Sequence, residues 1–279
     1  MIEFIDTHQH LIYRETLGYG WTASIPALAS GDFSLSDYVA LTHSAGIAGT
    51  IFMETGVDDA DYKSEARLVA TLIGQNNLLG QIASCRPENT RGFGAWLEEG
   101  AGLNVRGYRR ILHVVSDEIS QTTQFRRNLK LIGSKGLPFD MCFLARQLPL
   151  ALELAKHCPD QTLILDHCGV PDVSNDGFVQ WAADITALAA LPHVHCKLSG
   201  ISAYFAFGMA TLETLTPWVD HIINAFGPSR IVWGGDWPVV NLGVGLPRWI
   251  ALSRILIAGL TASEQRAIAA DNARRLYRL

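Results

Sequence analysis

Two histidines, His8 and His10, stand two residues apart near the start of the sequence. On an extended strand that spacing puts both imidazoles on one face. His167 and Asp236 lie far along the chain. Neutral imidazoles plus one carboxylate are the usual shell of a borderline divalent metal, and imidazoles can equally receive an oxyanion. An H-x-H pair standing alone is as often incidental, so its weight here comes from the company of His167 and Asp236. Arg109 offers a planar fork for a substrate carboxylate. Glu54 is placed to bind substrate or to support a histidine, and Lys197 either touches substrate or pairs with a buried carboxylate. Trp21, Trp237 and Tyr19 offer aromatic faces on which a ring-shaped ligand packs; as plain hydrophobic cover they would look the same.

These groups can act together only if the fold gathers them. Short β-rich apolar runs alternate with longer segments of helical period along the chain. The runs are Glu3–Thr7, Gly49–Glu54, Leu79–Ser84, Val105–Ile111, Phe139–Phe143, Thr162–Asp166, Val194–Leu198 and Ile231–Trp233. Between them lie helical patterns such as Leu35–Ala45, Asp61–Gln75, Gln124–Ser134, Leu148–His157, Phe178–Ala190, Leu212–Phe226 and Pro247–Ala258. Parallel neighbours need a crossover helix, and eight strand–helix units can close without leaving an edge. The pattern therefore predicts an α/β chain folded as a (β/α)8 barrel over residues 1–279, one domain, with a helical tail from about residue 260. In that tail Thr261 and Glu264 have the spacing of a capping box. An open α/β sheet is the alternative, but no G-x-G-x-x-G follows the first strand and no Walker-type loop is present.

Catalytic groups of such barrels sit at the C-terminal ends of the strands. Those ends carry His8 and His10, Glu54, Arg109-Arg110, Asp166-His167-Cys168-Gly169, Lys197-Leu198-Ser199-Gly200 and Gly235-Asp236-Trp237-Pro238. Alternation turns Asp166 away from His167, which favours a supporting role, and turns Arg110 toward the outer helices. His113 and His195 fall outside the predicted site as isolated histidines. The segment Tyr13–Phe33 is too long for an ordinary connection and is placed over the barrel mouth.

The chain has 279 residues, 48% hydrophobic and 18% charged, with a net charge of −5. That composition is unlike a disordered chain or a nucleic-acid binder. No apolar run reaches the ~20 residues of a membrane span, and Glu3 and Asp6 stand where a signal peptide is basic. The expectation is a cytoplasmic protein with a small-molecule substrate and neither nucleic acid nor membrane as partner. Five scattered cysteines without a C-x-x-C pair predict reduced thiols.

Asp6-x-His8-x-His10, Gly107-Tyr108-Arg109, Asp166-His167-Cys168-Gly169, Lys197-Leu198-Ser199-Gly200, Asp236-Trp237-Pro238 and Asp271-Asn272-Ala273-Arg274-Arg275-Leu276-Tyr277 together resemble the amidohydrolase superfamily. The order and spread of these motifs are more specifically similar to its amidohydrolase-2 branch, which holds L-fuconolactonase-like enzymes, 2-pyrone-4,6-dicarboxylate lactonase and galactaro-lactone isomerases. The resemblance implies a distorted (β/α)8 barrel that opens a sugar-acid or related carboxylated lactone, with Asp236 as the base that activates water. His8, His10 and His167 would then stabilise the oxyanion, either directly or by holding one divalent metal, Zn²⁺ or Mn²⁺, with Asp236. Catalysis without metal is the equal alternative. The fourth strand has no lysine, so a carbamylated lysine bridging two metals has no counterpart. A zinc-dependent decarboxylase and a lactone isomerase are the other enzyme readings, and a silent ligand-binding barrel is the non-enzyme one.

Overall fold

The computed structural model describes residues 2–173 and 177–279. Its strands form one eight-stranded parallel sheet in sequential order. They are β1 (Phe4–Gln9), β2 (Ile47–Met53), β3 (Leu78–Ser84), β4 (Val105–Ile111), β5 (Phe139–Cys142), β6 (Leu163–Leu165), β7 (Val194–Leu198) and β8 (Ile231–Trp233). The intervening helices are α1 (Leu35–Thr42), α2 (Tyr62–Ala70), α3 (Phe93–Gly102), α4 (Thr123–Ser134), α5 (Leu148–His157), α6 (Phe178–Ala189), α7 (Leu212–Phe226) and α8 (Leu246–Leu256), followed by α9 (Ala262–Arg266) and α10 (Asn272–Tyr277). This is the predicted barrel architecture.

Local chemistry explains where the helices begin and stop. The Ser34 hydroxyl accepts from the Asp37 amide while the Asp37 carboxylate accepts from the Ser34 amide, which satisfies two otherwise orphan donors at the start of α1. Thr261 and Glu264 make the same reciprocal pair at α9, as their spacing predicts. The helical period predicted over Asp61–Gln75 ends early, at Ala70. Beyond it Gly74, Asn76 and Asn77 take left-handed backbone and reverse the chain into β3. In α3, Phe93, Trp96, Leu97 and Gly100 make a buried stripe despite three glycines in ten residues.

Alternation sorts the strand side chains into two cores. Phe139, Met141, Leu163, Leu165, Val194, Cys196 and Leu198 pack outward against the helices. Ile5, Ile51, Met53, Ile82, Ile164 and Val232 form a second cluster with Ala270, Ala273, Leu276 and Tyr277 from the tail. The tail thus seals the N-terminal end of the barrel. Each large side chain buried there contributes about 1.5–3 kcal/mol. Inward-facing positions nearer the C-terminal strand ends are polar instead: Arg109, Asp140, Asp166 and Lys197.

The barrel's seam lies between β8 and β1. No continuous ladder joins them, but the chain just beyond β8 bonds to β1: the Asp236 amide donates to His8 O at 2.7 Å and the His10 amide to Trp237 O at 2.8 Å. Thr7 Oγ1 closes the same seam by donating to Trp233 O at 2.8 Å. No helix among the described residues is long and apolar enough to cross a membrane. All five cysteines are buried and free.

Candidate active site

The seam bonds bring Asp236 against the two histidines of β1. Asp236 Oδ1 lies 3.7 Å from His8 Nε2 and 3.5 Å from His10 Nε2, and Oδ2 lies 3.9 Å from His167 Nδ1. The His8 ring stands 4.8 Å from that of His10 and 4.4 Å from that of His167, centroid to centroid. All four groups are buried. Asp236 itself has left-handed backbone, with φ 56°, a conformation that costs a non-glycine residue about 1–2 kcal/mol. Asp6 holds this turn: its carboxylate accepts from the amides of His8 (2.9 Å) and Gly235 (2.7 Å) and from the Tyr38 hydroxyl (2.7 Å).

His167 arrives by a different device. Strand β6 stops at Leu165, and His167, Cys168, Gly169 and Val170 all take left-handed backbone. Simple alternation, which turned Asp166 away from His167, does not survive that turn. Asp166 points inward, 3.7 Å from His8 Nδ1, 3.4 Å from Arg109 and 3.2 Å from Lys197, while His167 reaches Asp236. Gly200, at the end of β7 with φ 65°, lets the histidine lie close: a Cβ there would stand 2.3 Å from His167 Nδ1 and 3.0 Å from Asp236 Oδ2. The same ring nitrogen is hydrogen-bonded to Ser199 Oγ at 3.0 Å.

The partners of each imidazole fix what it presents. His10 Nδ1 lies 2.9 Å from Met53 O, a carbonyl that can only accept, so Nδ1 carries a proton and Nε2 is the nitrogen that faces Asp236. Arg109 stands 3.2 Å from His8 Nε2 and can only donate, so this nitrogen is an acceptor. Burial, followed by the charges of His167, Lys197, His10 and Arg109, holds His8 well below the usual imidazole range and keeps it neutral. Burial lowers His167 as well, against the opposing pull of Asp236 and Asp166. The ligating atoms of His8, His10 and Asp236 converge, within 4.8 Å of one another. That arrangement asks for a proton-bearing water or a cation among them.

The cavity above these groups has a volume of about 510 Å³. His10, His167, Asp236, Arg109, Glu54 and Trp21 line it, six of the nine predicted site residues. His8, Lys197 and Trp237 do not. His8 sits behind the wall under Arg109. Trp237 is buried edge-on against Phe33 and Tyr38. Lys197 is fully buried and bonded to Asp140, Asp166 and Thr7 O, the arrangement of the buried-pair alternative. Arg109 is likewise engaged: Nε donates to Glu54 Oε1 at 2.8 Å and Nη1 approaches Asp166 at 3.4 Å. Burial raises the Glu54 carboxyl, but Arg109 and Arg86 outweigh it and hold Glu54 below the usual range. A substrate carboxylate would meet a guanidinium whose charge is already matched. Trp21 is fixed over the mouth by its indole N–H, which donates to Thr55 O at 2.9 Å.

Sequence reasoning missed Arg86, Cys142 and Tyr204 and set His113 outside the site, yet all four line the cavity. Arg86 and His113 each lie two residues past a strand's C-terminal end, so the strand-end rule extended by one turn would have found both. Arg110, expected to turn toward the outer helices, instead pairs at 2.6 Å with Glu88 of the loop between β3 and α3 and lines the cavity.

Known proteins are similar to this chain in sequence and in fold. A family model described as amidohydrolase matches residues 5–279. The L-fucono-1,5-lactonase of Burkholderia multivorans is 27% identical over 99% of this chain and 96% of its own. The L-rhamnono-gamma-lactonase of Scheffersomyces stipitis is 24% identical over 63% of this chain and 59% of its own. A crystal structure of a Burkholderia multivorans amidohydrolase with bound zinc superposes with a TM-score of 0.90 at 25% identity, covering 99% of both chains.

Proposed function

Because this chain belongs to the amidohydrolase family, we propose that it hydrolyses a small lactone, with Asp236 as the base that activates water. The observation that carries this reading is the convergence of the Asp236 carboxylate with the imidazoles of His10 and His8, where Asp236 and His10 line the cavity and His8 backs them. A water seated there gives one proton to Asp236 as its oxygen attacks the ring carbonyl carbon. The His10 imidazole, 3.5 Å from the same carboxylate oxygen, orients it. His167 faces the same space, and its Nδ1 is engaged by Ser199, so Nε2 is the atom left to donate to the carbonyl oxygen as negative charge develops. Collapse of the tetrahedral intermediate breaks the ring C–O bond, and the proton held on Asp236 goes to the departing alkoxide. The product is the open-chain hydroxy acid.

Lactonase names among the relatives support a cyclic ester as substrate. The donor set also fits a divalent cation: His8, His10 and Asp236 would hold it, with His167 beside them. A zinc ion bound there would supply Lewis-acid polarisation of the ring carbonyl. Arg109 occupies the same His8 nitrogen, so that ligand is shared with a guanidinium.

The test is initial-rate hydrolysis of sugar-acid and pyrone lactones, followed by proton release, with metal content measured before and after chelation. Saturable turnover of at least one lactone is expected. Absence of turnover across the set, with one firmly held zinc per chain, would move the assignment to the decarboxylase reading.

A further inference from the structure

His113 and Cys142 form a pair that the catalytic scheme does not use. Cys142 Sγ lies 3.4 Å from His113 Nδ1, and both side chains line the cavity. Cys142 ends β5 and His113 follows β4, and these strands lie across the sequential eight-stranded barrel from β8 and β1, which Asp236 and His10 follow. The pair therefore faces the far side of a bound ligand. Among the described residues the His113 ring makes no other hydrogen bond. Burial pushes the Cys142 thiol up, so it keeps its proton. Burial, then Arg109 and His167, pushes His113 down to about 4, so the ring is neutral. Sulfur is a weak acceptor and a bare imidazole nitrogen a good one, so the contact favours the thiol donating to Nδ1, with the imidazole proton on Nε2.

The charged neighbours on this wall are matched. Arg86 pairs with Asp59 at 2.7 Å and Arg110 with Glu88 at 2.6 Å. The wall thus presents donors without net charge, which suits a hydroxyl oxygen better than a second carboxylate. We propose that His113, locked by Cys142 with its proton on Nε2, is a substrate-binding residue that donates to a hydroxyl oxygen of a polyhydroxylated lactone, across the mouth from Asp236. This deepens the lactonase reading and rests on it.

Two measurements test the proposal together. Two-bond nitrogen–proton correlations on ¹⁵N-histidine-labelled enzyme read the tautomer. The parent and Cys142→Ser, which keeps a donor, are expected to show a protonated Nε2 at His113, and Cys142→Ala a mixture. Kinetically, His113→Phe should raise KM about five- to tenfold with kcat changed less than threefold, the loss of one neutral hydrogen bond. His113→Gln, whose amide nitrogen takes the place of Nε2, should recover most of it, and the effect should vanish on a lactone lacking the hydroxyl. A proton on Nδ1 in the parent, or an unchanged KM in His113→Phe where the parent does turn over lactone, overturns the role of His113 alone. A parent that opens no lactone overturns both the lactonase reading and the ligand assigned here.

Discussion

At the scale of single residues, the site depends on a few groups whose neighbours decide their state. Gly200 is the clearest. Its left-handed backbone and the 2.3 Å approach to His167 leave no room for a methyl group. Gly200→Ala should displace the imidazole and Asp236 together and lower kcat by about a hundredfold, since misplacement of order 1 Å costs that much. Rates measured beside a melting curve check this; equal loss of structure and activity would contradict it. Glu65 shows the electrostatic side. It is buried beside Glu54, and burial first, then the Glu54 charge, pushes its carboxyl up to about 8. Arg109 keeps Glu54 ionised, so Glu65 keeps the proton. Folded protein then binds more protons than unfolded between the ordinary carboxylate range and pH 8, and this contribution to stability is lost as pH rises through that window. Glu65→Gln, neutral at every pH, should flatten that decline in chemical denaturation curves taken from pH 5 to 8. An unaltered slope would show that Glu65 is ionised in the fold.

At the scale of elements, strand ends are legible in the sequence and the turns leaving them are less so. Types and spacing alone put His8, His10, Glu54, Arg109 and Asp236 at strand ends, because alternation and a parallel barrel leave few other places. The left-handed turn after β6 is not written in any period: it depends on Gly200 and Ser199 of the next strand accepting His167. Lys197 shows the same limit. Its inward direction follows from alternation, but whether it meets substrate or carboxylates depends on Asp140 and Asp166 from two other strands. Tyr277 of α10 adds a hydroxyl that donates to Asp140 at 3.0 Å. The result is a buried polar column running from the sealed end toward His8. Lys197→Met would leave Asp140 and Asp166 without their shared cation, and removing one partner of a buried pair costs about 3–5 kcal/mol. Denaturant midpoints should fall accordingly. A variant of parental stability with a raised KM would instead place Lys197 on the substrate.

At the scale of the whole molecule, the sheet closes where the chemistry is. β1 and β8 are the ends of the sheet's order, so only the completed fold brings Asp236 to His8 and His10, 226 and more residues apart in the chain. Eight strand–helix units could be counted from hydropathy. That the closing bonds would be the backbone of His8, His10, Asp236 and Trp237 could not, because the break in the β1–β8 ladder arises from the turn that Asp6 ties with Gly235. Fold, seam and site are thus one feature, whose proposed chemistry depends on Asp236 being the proton acceptor at that seam. The most direct test is the rate of lactone opening by Asp236→Asn against the parent, on the lactone the parent opens fastest and at matched metal content. The asparagine cannot take the water's proton, so a fall of about 10²- to 10⁴-fold with an unchanged circular dichroism spectrum is predicted. Turnover within tenfold of the parent would show that another group is the base.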